Sequence, residues 1–190
     1  YGPEARAKLR QRCASSGIAY PPKRLTLVAL KEERQLLMFG GDGRLALLNT
    51  FPLVSYSGVL GSKLREGDLQ IPEGIYGITG ANARKMLSLN VDYPNKLDRE
   101  NALSDRRTKL GSDILIHGGS FSTGCLVISN AQMEELLVAV HDVGFKNARL
   151  VISPCDLTKS APQLDFSRQP KWLPRLYAVL KNELSALPVR

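Results

Sequence analysis

Cysteine and histidine are the residues best suited to covalent acyl chemistry near neutral pH, and this chain of 190 residues holds only three of the first and two of the second. One of each falls in a single stretch, Ile114-Leu115-Ile116-His117-Gly118-Gly119-Ser120-Phe121-Ser122-Thr123-Gly124-Cys125-Leu126-Val127-Ile128. Apolar runs flank His117 and Cys125, and the link between them is rich in Gly, Ser and Thr. A thiol is a strong nucleophile only as a thiolate, and a nearby imidazole is the usual means of making one. Two strands ending at one edge, joined by a flexible loop, would bring the pair within hydrogen-bond reach. Gly124 lets the backbone turn tightly before the nucleophile. The N–H groups of Gly124 and Cys125 are the expected donors to a tetrahedral oxyanion. His117 would take the thiol proton and return one to a leaving group or incoming amine. Its other ring nitrogen needs an orienting acceptor. No Asp or Asn is close in sequence, which leaves the carbonyl of Gly118 as the candidate. The bland alternative for Cys125 is a small buried thiol on a strand. His141 lies near the edge of a helical apolar stripe and is read as structural or surface.

The elements that must position this pair can be read from turn chemistry and periodicity. Residues 4–16 form a helix stopped by Gly17, and Tyr20-Pro21-Pro22 is a stiff link. Strands are expected over 24–30, 34–39, 44–50 and 51–57, with Gly40-Gly41-Asp42-Gly43 as a tight turn. Gly58 to Gly74 is a glycine- and proline-punctuated loop, and 75–79 is another strand. Residues 82–110 read as a long irregular segment of the kind that forms a lid or binding surface. Strands at 113–117 and 125–128 enclose the candidate site. Ser129 with Gln132 fits a capping box. Met133, Leu136, Leu137, Val140 and Val143 then form one apolar stripe ended by Gly144. A last strand at 147–152 and an amphipathic helix built on Trp172, Leu176, Val179, Leu180 and Leu184 close the chain. The fold class is α+β: a mainly antiparallel β core, one helix packed after the cysteine, and helices at both termini.

Composition narrows the function classes. No apolar run approaches the roughly 20 residues that span a bilayer. A chain beginning at Tyr1 reads as a trimmed or processed form, with which loss of an export signal is consistent. The net charge of +8 favours polyanions or an anionic surface. The basic residues are scattered, apart from Arg6, Lys8, Arg10 and Arg12 and the Arg106-Arg107-Thr108-Lys109 cluster. They form no nucleic-acid reading element, so nucleic acid is not expected as a partner. Cys13 and Cys155 could pair in an oxidising compartment or remain thiols. No His/Cys cluster indicates a metal.

The segment from His117 to Cys125 resembles the catalytic motif of the L,D-transpeptidase catalytic (YkuD) domain, most closely its YafK-like branch. A second block is similar to that branch's run of Gly, Lys, Glu-Gly-Asp and Pro-Glu-Gly-x-Tyr: Gly58, Gly61, Lys63, Glu66-Gly67-Asp68 and Pro72-Glu73-Gly74-Ile75-Tyr76. Tyr93-Pro94-Asn95 with Asp98 is a third, weaker piece. The three cover roughly residues 24–152 in the family's order. The commoner family motif has His and Arg where this chain has Thr123 and Val127, and its His-to-Cys spacing is longer; the YafK-like branch departs in the same way.

The resemblance implies an L,D-transpeptidase-like β-sandwich over 23–155, preceded by a helix and linker (1–22) and followed by an extension with a packing helix (156–190). It makes Cys125 the acyl nucleophile, His117 its base and the Gly118 carbonyl the orienting group. The amide attacked would follow the L-centre of meso-diaminopimelate in a peptidoglycan stem. The acyl group would pass to an amine, as in an L,D-transpeptidase, or to water, as in an L,D-carboxypeptidase or an amidase releasing a wall-attached lipoprotein. A non-catalytic cell-wall-binding module is the further alternative. Lys63, Arg65 and Arg84 are the expected holders of stem-peptide carboxylates, with Tyr76 and Tyr93 lining the cleft and Ser122 and Thr123 binding substrate beside the nucleophile. Neither metal nor organic cofactor is implied, and the location is the periplasm or bacterial envelope.

Overall fold

A computed structural model describes residues 2–84 and 86–188. Eight strands form one sheet: β1 (Arg24–Leu30), β2 (Gln35–Asp42), β3 (Arg44–Pro52), β4 (Gly74–Asn82), β5 (Ser88–Val91), β6 (Leu115–Gly118), β7 (Leu126–Ile128) and β8 (Ala148–Ser153), in the order β3-β2-β1-β8-β4-β5-β6-β7. Helices α1 (Pro3–Ser15), α2 (Lys96–Ser104), α3 (Asn130–Val143) and α4 (Leu173–Ser185) complete it. The class is α+β with a mainly β core and helices at both ends, as the element pattern predicts.

β4 joins two halves of the sheet. Its first residues, Gly74–Gly77, pair with β8, and its later ones, from Ile78, pair with β5 across a register shift. Beyond β3 the chain returns to β7 through a single bridge, Ser55 to Val127, so the two ends of the sheet meet. Strands β1, β2 and β8 are buried on both faces. Leu25, Leu27 and Ala29 enter the larger core with Leu36, Met38, Leu150 and Ile152. Their alternates Val28, Leu30, Leu37, Phe39 and Val151 pack under α4 through Leu173, Leu176, Tyr177, Leu180 and Leu184. That two-sided burial explains why 24–30 reads as a nearly continuous apolar run.

The larger core takes its lid from α3 and α1. Ser129 caps α3 reciprocally with Gln132, and Gly144 ends it at φ 87. Ala5, Leu9 and Cys13 of α1 enter the same core. Polar clamps hold α1 on α3: Arg12 pairs with Glu135, and Arg6 grips Asp142 through Nε at 2.7 Å and Nη2 at 2.8 Å. Tyr20 donates its hydroxyl to the same Asp142 carboxylate at 2.6 Å. The Arg6 hydrogen bonds hold the Asp142 carboxyl well below the usual carboxylate range, against the opposing effect of burial. A depressed carboxylate contributes stability above its unfolded pKa and loses it as pH falls. Asp142→Asn is therefore expected to lower the urea midpoint at neutral pH, with the difference from wild type shrinking in acid below the ordinary carboxylate range. Equal midpoint differences at both pH values would remove the clamp.

Two expectations need correction. Residues 82–110 are not one irregular segment, since they contain β5 and α2. Helix α2 is nucleated by a reciprocal cap between Asn95 and Asp98. Gly40 and Gly41 belong to β2 rather than to the turn, which closes at Gly43 with φ 78. A side chain at Gly41 would collide with the Arg44 carbonyl across the hairpin. The sheet is mainly antiparallel, as expected, with β1 beside β8 and β6 beside β7 as its parallel pairs. Cys13 and Cys155, whose pairing the sequence leaves open, are both buried free thiols in cores on opposite faces of the sheet.

Candidate active site

His117 and Cys125 come together because β6 and β7 lie side by side and parallel. Ile116 pairs with Leu126, His117 with Val127 and Gly118 with Ile128. Ile116, Leu126 and Ile128 point into the core. Successive strand residues alternate faces, so His117 and the fully buried Val127 face away from that core, and alternation puts Cys125, two residues before Val127, on their side of the sheet. Both side chains are half-buried. Gly118 must be small, because a Cβ there would strike the Asn130 side chain at the start of α3.

The imidazole is held in one tautomer. His117 Nδ1 lies 3.0 Å from the carbonyl oxygen of Gly118. A carbonyl only accepts, so Nδ1 carries the proton and Nε2 keeps a lone pair for a thiol. The Cys125 thiol donates to the Asp113 carbonyl at 3.8 Å rather than to His117. Such contacts tighten when a substrate is bound. Asp113 sits in the left-handed region at φ 59, a conformation that Asp tolerates better than most residues. The residue types place Asp113 in the strand leading to His117, but that strand begins at Leu115 and leaves Asp113 in the connection before it.

Burial pushes the Cys125 thiol above its ordinary value. A backbone hydrogen bond at Leu115 opposes this, the Asp113 carboxylate adds to it and the Lys63 ammonium opposes it weakly. Burial therefore favours the neutral thiol at Cys125, and a thiol in that state would need a base to act as a nucleophile. Alkylation of Cys125 by iodoacetamide is expected to accelerate with pH through and beyond the ordinary thiol range of about 8.5. A plateau near neutrality would instead reveal a preformed thiolate–imidazolium pair.

The backbone donors beside the nucleophile are occupied. Gly124 N–H donates to Ser122 Oγ at 3.2 Å and Cys125 N–H to the same oxygen at 3.1 Å. Ser122 in turn donates to the Cys125 carbonyl at 2.7 Å and meets Ser57 Oγ at 3.2 Å. Gly124 has φ 119, and a Cβ on it would lie 3.1 Å from the Gln70 carbonyl. Ser57 and Gln70 therefore seat the glycine-rich block directly against the nucleophile loop.

That block is a scaffold more than a row of ligands. Asp68 accepts from the N–H groups of Leu64 and Arg65 with one oxygen, and from Gln70 N–H and Lys63 Nζ with the other. Lys63 also donates to the Arg65 carbonyl at 2.9 Å. Lys63 is buried by these contacts, which corrects its expected role as an open carboxylate holder. Tyr76 and Tyr93 are corrected likewise. Both are buried in the larger core, packed edge-on with ring centroids 6.2 Å apart. Their hydroxyls go inward, Tyr76 to Asp98 at 3.2 Å and Tyr93 to the Leu110 carbonyl at 3.1 Å. Arg65 is exposed. Arg84 is exposed in the β4–β5 connection, whose Leu87 carbonyl accepts the Gly118 N–H at 3.0 Å. Thr123 is exposed in the loop before Cys125, and Ser122 is buried beneath it.

His141 is on the surface of α3 beside Asp142, as its helical position predicts. Lys31 and Glu73, both with side chains wholly buried, are the polar pair that the residue pattern does not announce.

Comparison with known proteins gives a consistent result. The L,D-transpeptidase catalytic domain family, YkuD, matches residues 24–148. YafK of Escherichia coli strain K12, named as an L,D-transpeptidase, is 32% identical over 111 residues. That alignment covers 56% of this chain and 43% of YafK, so the match spans less than half of the relative's length. Among solved structures, the helical cell shape determining protein Pgp2 of Campylobacter jejuni superposes with a TM-score of 0.59 at 17% identity, over 87% of this chain and 70% of that one. Bd1075 of Bdellovibrio bacteriovorus superposes with a TM-score of 0.51 at 20% identity, over 85% and 54%. At these identities the two structures speak for the fold alone.

Proposed function

The chain belongs to the L,D-transpeptidase catalytic domain family, and on that premise we propose that it is a cysteine-dependent acyl-transfer enzyme acting on peptidoglycan stem peptides in the bacterial envelope. The observation that carries the proposal is the geometry at His117: Nδ1 lies 3.0 Å from the Gly118 carbonyl, which leaves Nε2 of the neutral ring as the base, on a strand parallel to the one that Cys125 leads into.

In the proposed reaction, His117 Nε2 removes the thiol proton as Sγ attacks the carbonyl carbon at the L-centre of meso-diaminopimelate. The C–N bond of the following amide breaks, and His117 returns the proton to the departing amine. The thioester left on Cys125 is then attacked by an amine or by water, deprotonated by the same imidazole. An amine acceptor makes this an L,D-transpeptidase. A water acceptor makes it an L,D-carboxypeptidase or an amidase freeing a wall-attached lipoprotein. The oxyanion takes the N–H groups of Gly124 and Cys125 once the Ser122 hydroxyl that holds them gives way.

The test is a muropeptide profile by liquid chromatography and mass spectrometry. Sacculi, some carrying bound lipoprotein, are incubated with wild type and with Cys125→Ala. New L,D cross-links, tripeptides from tetrapeptides or freed lipoprotein, made by the wild type alone, identify the acceptor. An unchanged profile with normal sacculus binding by both proteins favours a non-catalytic wall-binding module.

A further inference from the structure

A concavity of about 500 Å³ is lined by the glycine-rich block together with Arg107, Arg168 and Gln169. Its size suits a peptide fragment. Val59, Leu60 and Leu64 give it an apolar floor, and Arg65, Arg107 and Arg168 stand around it. The single acid in its lining, Asp68, is spent inward on three backbone N–H groups and Lys63. Arg107 is a fixed cation: its guanidinium bonds the Leu64 carbonyl at 2.7 Å and Asp105 at 2.9 Å, and lies 6.0 Å from the Trp172 ring centre. Arg168 reaches Asp165 at 3.4 Å in a pair that water surrounds, a contact too weakly held to withhold the guanidinium from an anion. The Arg65 guanidinium makes no hydrogen bond or ion pair among the described residues.

Two features make this more than a basic surface. The wall at Arg168 and Gln169 comes from beyond residue 148, where the family match ends. It is docked closely: a Cβ on Gly61 would lie 3.1 Å from Gln169 Oε1, and Trp172 Nε1 donates to Asp105 at 2.7 Å. The inner edge is formed by Gln70, whose carbonyl abuts Gly124, one residue from the nucleophile. A ligand in the cleft thus meets Gln70, the residue whose backbone packs against the loop that carries Cys125.

We propose that this cleft, completed by the C-terminal segment, binds the free carboxylates of a stem peptide, with Arg65 and Arg168 as the recognising cations. The assignment rests on the proposed function, since it places the acidic part of that substrate. Guanidinium forks match carboxylates in a way a point charge does not.

The probe is the free stem tetrapeptide ending in meso-diaminopimelate and D-Ala, titrated by NMR into the Cys125→Ala protein. The expected result is movement of the Val59, Leu60 and Leu64 methyl signals together with the Arg65 and Arg168 side-chain signals. Amidation of the peptide carboxylates, or the exposed pair of changes Arg65→Gln and Arg168→Gln, should each weaken binding by about tenfold or more. Shifts confined to the His117 face, with affinity indifferent to both arginines, overturn the cleft and leave the proposed function standing. Absence of any shift at saturating peptide overturns both.

Discussion

Cys125→Ala is expected to abolish turnover of sacculi to background, and His117→Ala to lower kcat/KM by about 10²–10⁴. The two magnitudes differ for a chemical reason. Without the sulfur no thioester forms, and no other side chain on the outward face of β6 and β7 is a comparable nucleophile. Without the imidazole the sulfur remains, but as a thiol that burial holds protonated, so attack waits on the small thiolate fraction and on water as base. The double variant should be no worse than Cys125→Ala alone, because groups that act in one step are not additive. Cys125→Ser tests the same point from another side. It keeps the shape and a hydroxyl, and should remain inactive because an alcohol ionises far less readily than a thiol. Cys125 is half-buried, its backbone hydrogen bonds to Ser122 survive the change, and its thiol makes only a 3.8 Å contact to the Asp113 carbonyl and a hydrogen bond at Leu115, so the Ala variant should melt with the wild type. Turnover retained by Cys125→Ala would remove the nucleophile and with it the acyl-enzyme.

What the sequence discloses and what it hides divide along physical lines. Local signals survive intact: the Ser129–Gln132 cap, the stop at Gly144, the apolar runs of β1 and β8 and the stripe of α3 are all set by neighbours a few residues apart. The His117–Gly118 contact is also local, between adjacent residues, and so could be anticipated. Helix α2 escaped because its signal is a single reciprocal cap, Asn95 with Asp98, inside a polar stretch with little apolar stripe. Tyr76, Tyr93 and Lys63 misled for another reason. An aromatic with a hydroxyl, or an ammonium, looks like a ligand holder until its partner is known, and those partners lie in turns that the sequence does not bring together. The same holds for Ser122. Its side chain reads as a contact to substrate, yet it closes the turn that shapes the nucleophile loop.

The motif of the second block therefore has a mechanical explanation, and it leads to the largest expected effect on stability. Lys31, just past the end of β1, has its ammonium wholly buried with three acceptors: Gly61 O at 2.9 Å, Ile71 O at 3.2 Å and Glu73 Oε1 at 2.9 Å. Glu73 also accepts the Gly61 N–H at 3.0 Å and the Tyr177 hydroxyl of α4 at 2.6 Å. Burial pulls the Lys31 amine below its ordinary value, and Glu73 is the main force against that pull. One carboxylate thus ties β1, the glycine-rich block and α4 to a single point. Glu73→Ala strands a buried ammonium and should cost about 3–5 kcal/mol in urea unfolding. Lys31→Met with Glu73→Leu should recover only part of that loss. The charge problem is gone, but the Gly61 N–H and carbonyl and the Tyr177 hydroxyl remain buried without partners, at about 1–3 kcal/mol each. A double-mutant cycle between Lys31 and Glu73 reads their coupling directly. The functional consequence follows from position. The block holds Ser57 against Ser122 and the Gln70 carbonyl against Gly124. Slack of about 1 Å at such a seat is enough to cost about 10² in rate. Glu73→Ala protein, assayed where it is still folded, should therefore show depressed kcat/KM although Glu73 touches no reacting atom. Full activity of the folded variant, or a stability loss within the range of a surface substitution, would reduce Glu73 to an ordinary core contact.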